Sequence, residues 1–130
     1  MITPSKLGPR LKVVALIDPA IERATGVLQK KCDSFVRSAY ENTRVFKTLD
    51  DYVASYDRKN PPKAFVVGSP PMFRGTSKQG RDIEIQILKH FPGVPLFIEK
   101  PITTGPSDEI EESFKVAKYI NDSGAITSVG

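Results

Sequence analysis

Two short apolar runs that stop abruptly constrain this chain more than any other feature. Ala64-Phe-Val-Val-Gly-Ser-Pro-Pro71 ends in a rigid proline exit, and Leu96-Phe-Ile-Glu-Lys-Pro101 ends in charge and proline about one helix length later. A buried parallel strand reads this way, apolar on both faces and polar only at its carboxyl end. Open α/β sheets bind ligands at those carboxyl ends. Glu99-Lys100-Pro101 therefore stands where this architecture places its chemistry.

The rest of the chain alternates in the same manner. Leu11–Ile17 is predicted as a strand ending at Asp18, with Pro19 in the first turn of a helix whose Ile21, Ala24, Leu28 and Cys32 share a face. Arg44–Phe46 is a short strand. Thr48-Leu-Asp-Asp51 has capping-box spacing and opens a helix bearing Leu49, Tyr52, Val53 and Tyr56. After strand 64–68 comes a long loop, 69–80, whose Arg74, Lys78 and Arg81 suit either a lid or a disordered basic surface loop. Residues 81–91 fit both periods through Ile83, Ile85, Ile87, Leu88 and Phe91, and the alternation of elements selects a helix. The last helix follows Gly105-Pro106, crowds acids into its first turns and carries Lys115 and Lys118 later, as the helix dipole favours. Ile110, Phe114, Ala117 and Ile120 are its expected buried stripe, Gly124 its stop, and Ala125–Val129 a final strand. Five strands separated by helices predict an α/β fold, a three-layer Rossmann-like domain with a parallel sheet covered on both faces. Residues 1–10 are read as an N-terminal extension and 11–130 as the domain.

Composition narrows the function. A chain of 130 residues is one domain, able to bury roughly two thirds of its unfolded surface. The single cysteine, Cys32, can form no internal disulfide, so a reducing compartment, the cytoplasm, is expected, with Cys32 packed as a small hydrophobe. No apolar run approaches the roughly 18 residues that span a bilayer, and no membrane partner is expected. Residues 58–90 hold seven Lys/Arg against two acids, and residues 99–123 hold six acids against three lysines. The basic charges form no run and lack interleaved aromatics, so a solvated surface is expected in place of nucleic-acid binding.

Several residues carry candidate chemistry. Asp18 at a strand end offers two acceptor oxygens to the hydroxyls of a ribose, or caps the following helix. Ser69-Pro70-Pro71 makes a flat, donor-free wall that lines a ligand or merely turns the chain. Lys100 can orient a substrate oxygen or transfer a proton, or is an ordinary surface lysine. His90, near a helix end, is explained by the dipole alone. No Cys/His cluster has metal-ligand spacing, and no nucleophile elbow or phosphate loop of the Gly-Lys-Ser/Thr type occurs.

A strand ending in Asp, a strand ending in Ser-Pro-Pro, then Glu-Lys-Pro and a helix leading to Ser128-Val129-Gly130 resemble the Gfo/Idh/MocA oxidoreductases over residues 11–130. The resemblance implies the N-terminal Rossmann domain of an NAD- or NADP-dependent enzyme acting on sugar-like or related hydroxyl substrates. It implies that Asp18 meets the adenosine ribose and that Ser69, Pro70 and Pro71 lie along the cofactor. Lys100, the catalytic candidate, sits near nicotinamide and substrate with Glu99 beside it, and Pro101 follows a cis peptide. Three departures stand out. Only ten residues precede Leu11, with one glycine in Leu7-Gly-Pro-Arg10 where the family has Gly-x-Gly-x-x-Gly. Arg74 replaces a family histidine, and the family's second domain has no counterpart before Gly130. The chain is thus expected to be a shortened member, weakly active or inactive alone. With the family's central first strand missing, its five strands are expected to close in the order 2-1-3-4-5, a homodimer paired between copies being the alternative. A non-enzymatic binding or assembly protein that keeps the scaffold is the alternative function.

Overall fold

The computed structural model describes residues 10–102 and 105–130, so the predicted N-terminal extension up to position 9 lies outside the described residues. The elements in chain order are β1 (Ala15–Ile17), α1 (Ile21–Cys32), α2 (Arg37–Tyr40), β2 (Arg44–Phe46), α3 (Leu49–Ser55), β3 (Phe65–Val67), α4 (Ile83–His90), β4 (Leu96–Ile98), α5 (Ile110–Ser123) and β5 (Thr127–Val129). Short 3-10 turns, Pro71–Phe73 and Ser107–Glu109, precede α4 and α5. Every predicted strand is present, Arg44–Phe46 and Leu96–Ile98 with the predicted bounds and the other three trimmed to three residues, and α2 is an added turn of helix. The strands are all parallel and alternate with helices, a Rossmann-like α/β arrangement. They pair as one sheet of order β1-β2 and another of order β3-β4-β5, not as a continuous five-stranded ladder. The chain divides accordingly into two compact units, Met1–Asn60 and Pro61–Gly130. Three-residue strands contribute few ladder bonds, so each sheet is held chiefly by the helices of its own unit.

In the first unit Val14 accepts from the Arg44 amide and the Asp18 amide donates to Phe46, which leaves Ala15 and Ile17 addressing the other edge of β1. Ala24, Ala39, Phe46, Leu49 and Tyr52 form its core, with the Phe46 and Tyr52 rings edge to face at 5.3 Å. Thr48 Oγ1 accepts from the Asp51 amide at 3.1 Å, the N-cap predicted for α3. Helix α1 departs from expectation. Pro19 precedes its first turn, Ala24 is buried, Leu28 and Cys32 are half-buried, and Ile21 is exposed.

In the second unit Val67, Leu96 and Ile98 are buried and share one face of the sheet with Phe65, whose ring lies 5.3 Å from that of Phe91; Ile85, Ile87 and Leu88 of α4 and Val116 of α5 are buried in the same unit. Gly124 ends α5 in the left-handed conformation (φ 74°), as its predicted stop requires. The buried stripe of α5 is not the predicted one. Val116 is buried and Glu112, Ser113, Tyr119 and Ile120 are half-buried, whereas Ala117 is exposed and Ile110 and Phe114 are 50% and 68% exposed. The helix is turned by about one residue from the apolar stripe. That turn brings Glu109 and Glu112 against the loop after β3, whose cations and amide they hold.

This rotation is measurable. Ile98→Ala is expected to cost about 2–5 kcal/mol in chemical denaturation, and Phe114→Ala only about 0.5 kcal/mol or less. A large loss at Phe114 would restore the stripe read from the sequence.

Candidate functional site

The two segments that opened the reading leave adjacent strands of one sheet. Val67 lies opposite Ile98, and the Glu99 amide donates to Val67 O at 3.0 Å, carrying the ladder one step past the strands. The Lys100 amide donates to Gly130 O at 3.0 Å, which anchors the second segment from the other side. The Lys100–Pro101 peptide is cis. Ser69-Pro70-Pro71 and Glu99-Lys100-Pro101 thus share the carboxyl edge of β3 and β4.

Their side chains are exposed to different degrees. Lys100, Pro70 and Pro101 are exposed, while Glu99 and Pro71 are half-buried. Pro70 is extended (φ −55°, ψ 147°) and Pro71 opens the 3-10 turn, so the pair does form the donor-free wall expected of it. Ser69 Oγ is buried with no hydrogen-bond partner among the described residues, an orphaned polar atom at the mouth of the site. Beside it, Gly68 has open space where a Cβ would stand.

Asp18 belongs to the first unit. Its Oδ1 accepts from the Ala20 amide at 2.8 Å, and Arg23 Nη2 reaches both carboxylate oxygens, at 3.2 and 3.0 Å. The Ala20 amide first, and then Arg23, hold its pKa below the ordinary value. Asp18 does not cap α1, whose N-cap is Ala20 with no side-chain bond; it closes a turn onto the Ala20 amide and pairs with Arg23 instead. Cavities of about 180 and 220 Å³ in this unit are lined by residues such as Leu16 and Tyr40, or Arg44 and Tyr56, and by none of the predicted site residues. His90 is exposed at the end of α4. Among the described residues no group of His, Cys, Asp or Glu is arranged to hold a metal ion.

The loop after β3 is not a disordered basic surface. Arg74, Thr76 and Glu84 are each 1% exposed. Arg74 Nε donates to Ser69 O at 2.6 Å, and Nη1 approaches Ile102 O at 3.5 Å. Glu84 Oε2 accepts from the Gly75 amide at 3.1 Å. Burial raises the Glu84 pKa, opposed by that amide and by the charge of Arg74. Thr76 Oγ1 donates to Arg81 O at 2.9 Å and accepts from the Lys78 amide at 3.1 Å, closing the turn. The composition pattern missed this cluster because its polar residues resemble surface. One signal was available: Glu84 stands four residues before Leu88, on the apolar face of the predicted helix.

The distal part of the loop is strapped to the start of α5. Lys78 Nζ pairs with Glu109 at 2.6 Å, Arg81 with Glu109 at 3.0 Å, and the Ser77 amide with Glu112 at 3.0 Å. Lys115 also pairs with Glu112 at 2.6 Å. The basic middle and acidic end of the sequence thus neutralise each other within one unit.

A sequence profile of the family described as "Oxidoreductase family, NAD-binding Rossmann fold" (Gfo/Idh/MocA) matches residues 2–130, and the chain belongs to that family. Two proteins of Schizosaccharomyces pombe, both described as uncharacterized, are similar to it, at 39% and 40% identity over 126 residues. These matches cover 95% of this chain but 32% and 30% of the relatives, so the chain spans about a third of their length. No solved structure matches the chain significantly. No helix among the described residues is long and apolar enough to cross a membrane.

The strap should answer to acid. Lys115 first, and then Ser77, lower the Glu112 pKa to about 2, and Lys78 and Arg81 lower that of Glu109. A depressed carboxylate contributes stability that is complete above its unfolded pKa, about 4.3, and lost as pH falls through the folded value. Thermal unfolding from pH 5 to pH 2 is expected to show this loss, and a shallower pH slope in Glu112→Gln. Equal slopes would mean that the strap contributes nothing.

Proposed function

We propose that this chain is the nucleotide-binding part of an NAD(P)-dependent oxidoreductase acting on sugar-like or related hydroxyl compounds. The observation that carries the reading is the shared carboxyl edge of β3 and β4, where Ser69-Pro70-Pro71 and Glu99-Lys100-Pro101 meet. The residues fit a dinucleotide in part. Ser69 Oγ is a buried polar atom in want of a partner, Pro70 and Pro71 supply an apolar wall, and Gly68 leaves room beside them. In this reading Asp18 holds the adenosine ribose, its carboxylate keeping acceptor capacity beyond the Ala20 and Arg23 bonds. Ser69, Pro70, Pro71, Glu99 and Pro101 line the cofactor.

Bound nicotinamide supplies hydride transfer. Exposed Lys100 holds the substrate oxygen by a charged hydrogen bond and passes its proton as the carbonyl and hydroxyl states interconvert. The chain contains no Gly-x-Gly-x-x-Gly run, so the backbone donors that usually hold a pyrophosphate are not supplied by these residues. Binding by the chain alone is therefore weak, and the family's chemistry needs more than these 130 residues supply. The reading also keeps the cytoplasm as its compartment and the sheet order 2-1-3-4-5, with β1 beside β3. A monomer in which the amides of Ala15 and Ile17 are protected from exchange supports that order, and a dimer would point to pairing between copies.

A second reading is a non-enzymatic binding or assembly protein on the same scaffold, supported by Ile110 and Phe114 exposed one turn apart on α5. Titration calorimetry with NADH and NADPH separates the two. The first reading expects a dissociation constant of about 0.1 mM or weaker, weakened further by Asp18→Ala. Nanomolar affinity or unaided turnover would overturn the expectation of weak binding. If no binding appears at millimolar nucleotide and Phe114→Ser abolishes association with a partner, the second reading stands.

A further inference from the structure

We infer that Arg74 is a positioning residue for the strand-end site: its guanidinium ties the backbone leaving β3 to the backbone leaving β4 and thereby fixes where Lys100 is presented. The inference rests on the reading that these two segments form a nucleotide and substrate site, and deepens it.

The need for such a tie follows from the prolines. Pro70, Pro71 and Pro101 have no amide hydrogen, so the two segments lack the donors that would otherwise stitch them together. Among the described residues the ladder supplies its last bonds at Glu99 and Lys100, to Val67 and Gly130. Arg74 supplies the missing donors. Nε bonds to Ser69 O at 2.6 Å, at the head of Ser-Pro-Pro, and Nη1 reaches towards Ile102 O at 3.5 Å, just past Glu-Lys-Pro. Lys100 is thus held on its amide side by Gly130 and on its carboxyl side, through Pro101 and Ile102, by Arg74.

The chemistry of the group matters. Arginine presents five donors in a rigid planar fork, so one side chain can address two carbonyls in different directions. Lysine places one nitrogen at one point and cannot reproduce both contacts. A guanidinium that is 1% exposed also needs a countercharge, and the charge of Arg74 opposes the rise that burial gives the pKa of the equally buried Glu84. Glu84 is fixed on α4 and also accepts from Gly75, the residue after Arg74. The tie is therefore anchored to the helix behind it and does not float with the loop.

The test compares the full chain with Arg74→Lys, which keeps the charge, and Arg74→Met, which keeps the stem. Amide exchange is read at Phe73 and Lys100, which donate to Pro70 O and Gly130 O in the two segments, against Val67 and Ile98 in the ladder. The expected result is an increase of about tenfold or more at the segment amides of both variants, with ladder amides nearly unchanged. NADH affinity is then measured on the same samples. Where the unaltered chain binds, both variants should bind several-fold more weakly, lysine giving no rescue. If the unaltered chain binds no nucleotide, the functional reading fails while the exchange comparison still decides the tie. Uniform loosening of ladder and segments, unfolding of both variants, or full rescue by lysine would each make Arg74 a structural cation only and overturn the proposal.

Discussion

The site depends on one short stretch of parallel ladder. Phe65 donates to Pro95 O and Glu99 to Val67 O, at 3.0 Å each, so β3 and β4 are locked in a register that puts Gly68 and Glu99 at the same edge. A shift of one residue in either strand would exchange the buried and open faces, placing Val67 and Ile98 in solvent. Burial of those two side chains, each 4% exposed, is what forbids the shift. Position in the core thus determines which polar groups emerge at the edge. The place of Ser69 and Lys100 at that edge is a consequence of the packing of Val67 and Ile98.

Beyond the ladder the chain changes its means of support. Two segments rich in proline cannot continue a sheet, and in this protein a buried cation holds the backbone there. Burying Arg74 is costly unless its donors and charge are answered. The answers come from Ser69 O, from Ile102 O at longer range, and from the field of Glu84. Once made, that arrangement is stiff, because each partner is itself fixed by strand, helix or turn. At the surface the strap from Lys78 and Arg81 to Glu109 joins the same two stretches of chain a second time, with charges that water and salt weaken. The inner tie is set by desolvated geometry and the outer one responds to the medium.

Much of this was legible in the residues. Alternation of apolar runs with helical periods located all five strands, and the Thr48 and Gly124 caps were identified from residue type alone. Ser69-Pro70-Pro71 and Glu99-Lys100-Pro101 were placed at one edge by topology. Three things were hidden, each for a physical reason. The face of α5 was read from its apolar residues, but Glu109 and Glu112 have partners in the preceding loop that no local pattern shows. Arg74 read as part of a lid or a surface loop and Glu84 drew no reading at all, because burial of a charge depends on where its partners come from, which is tertiary information. The pairing of the strands into two sheets depends on which edges meet, and three-residue strands carry too little pattern to specify that.

The strap and the rotated helix are two sides of one choice. Turning α5 to bury Ile110 and Phe114, which are 50% and 68% exposed, would gain about half to two thirds of the roughly 1.5–3 kcal/mol that full burial of such a side chain gives. It would also carry Glu109 and Glu112 away from Ser77, Lys78 and Arg81 and leave the loop after β3 without its outer attachment. The fold takes the charged face inward and leaves Phe114 in solvent. The exposed stripe is then a by-product of the way the loop after β3 is held to the start of α5.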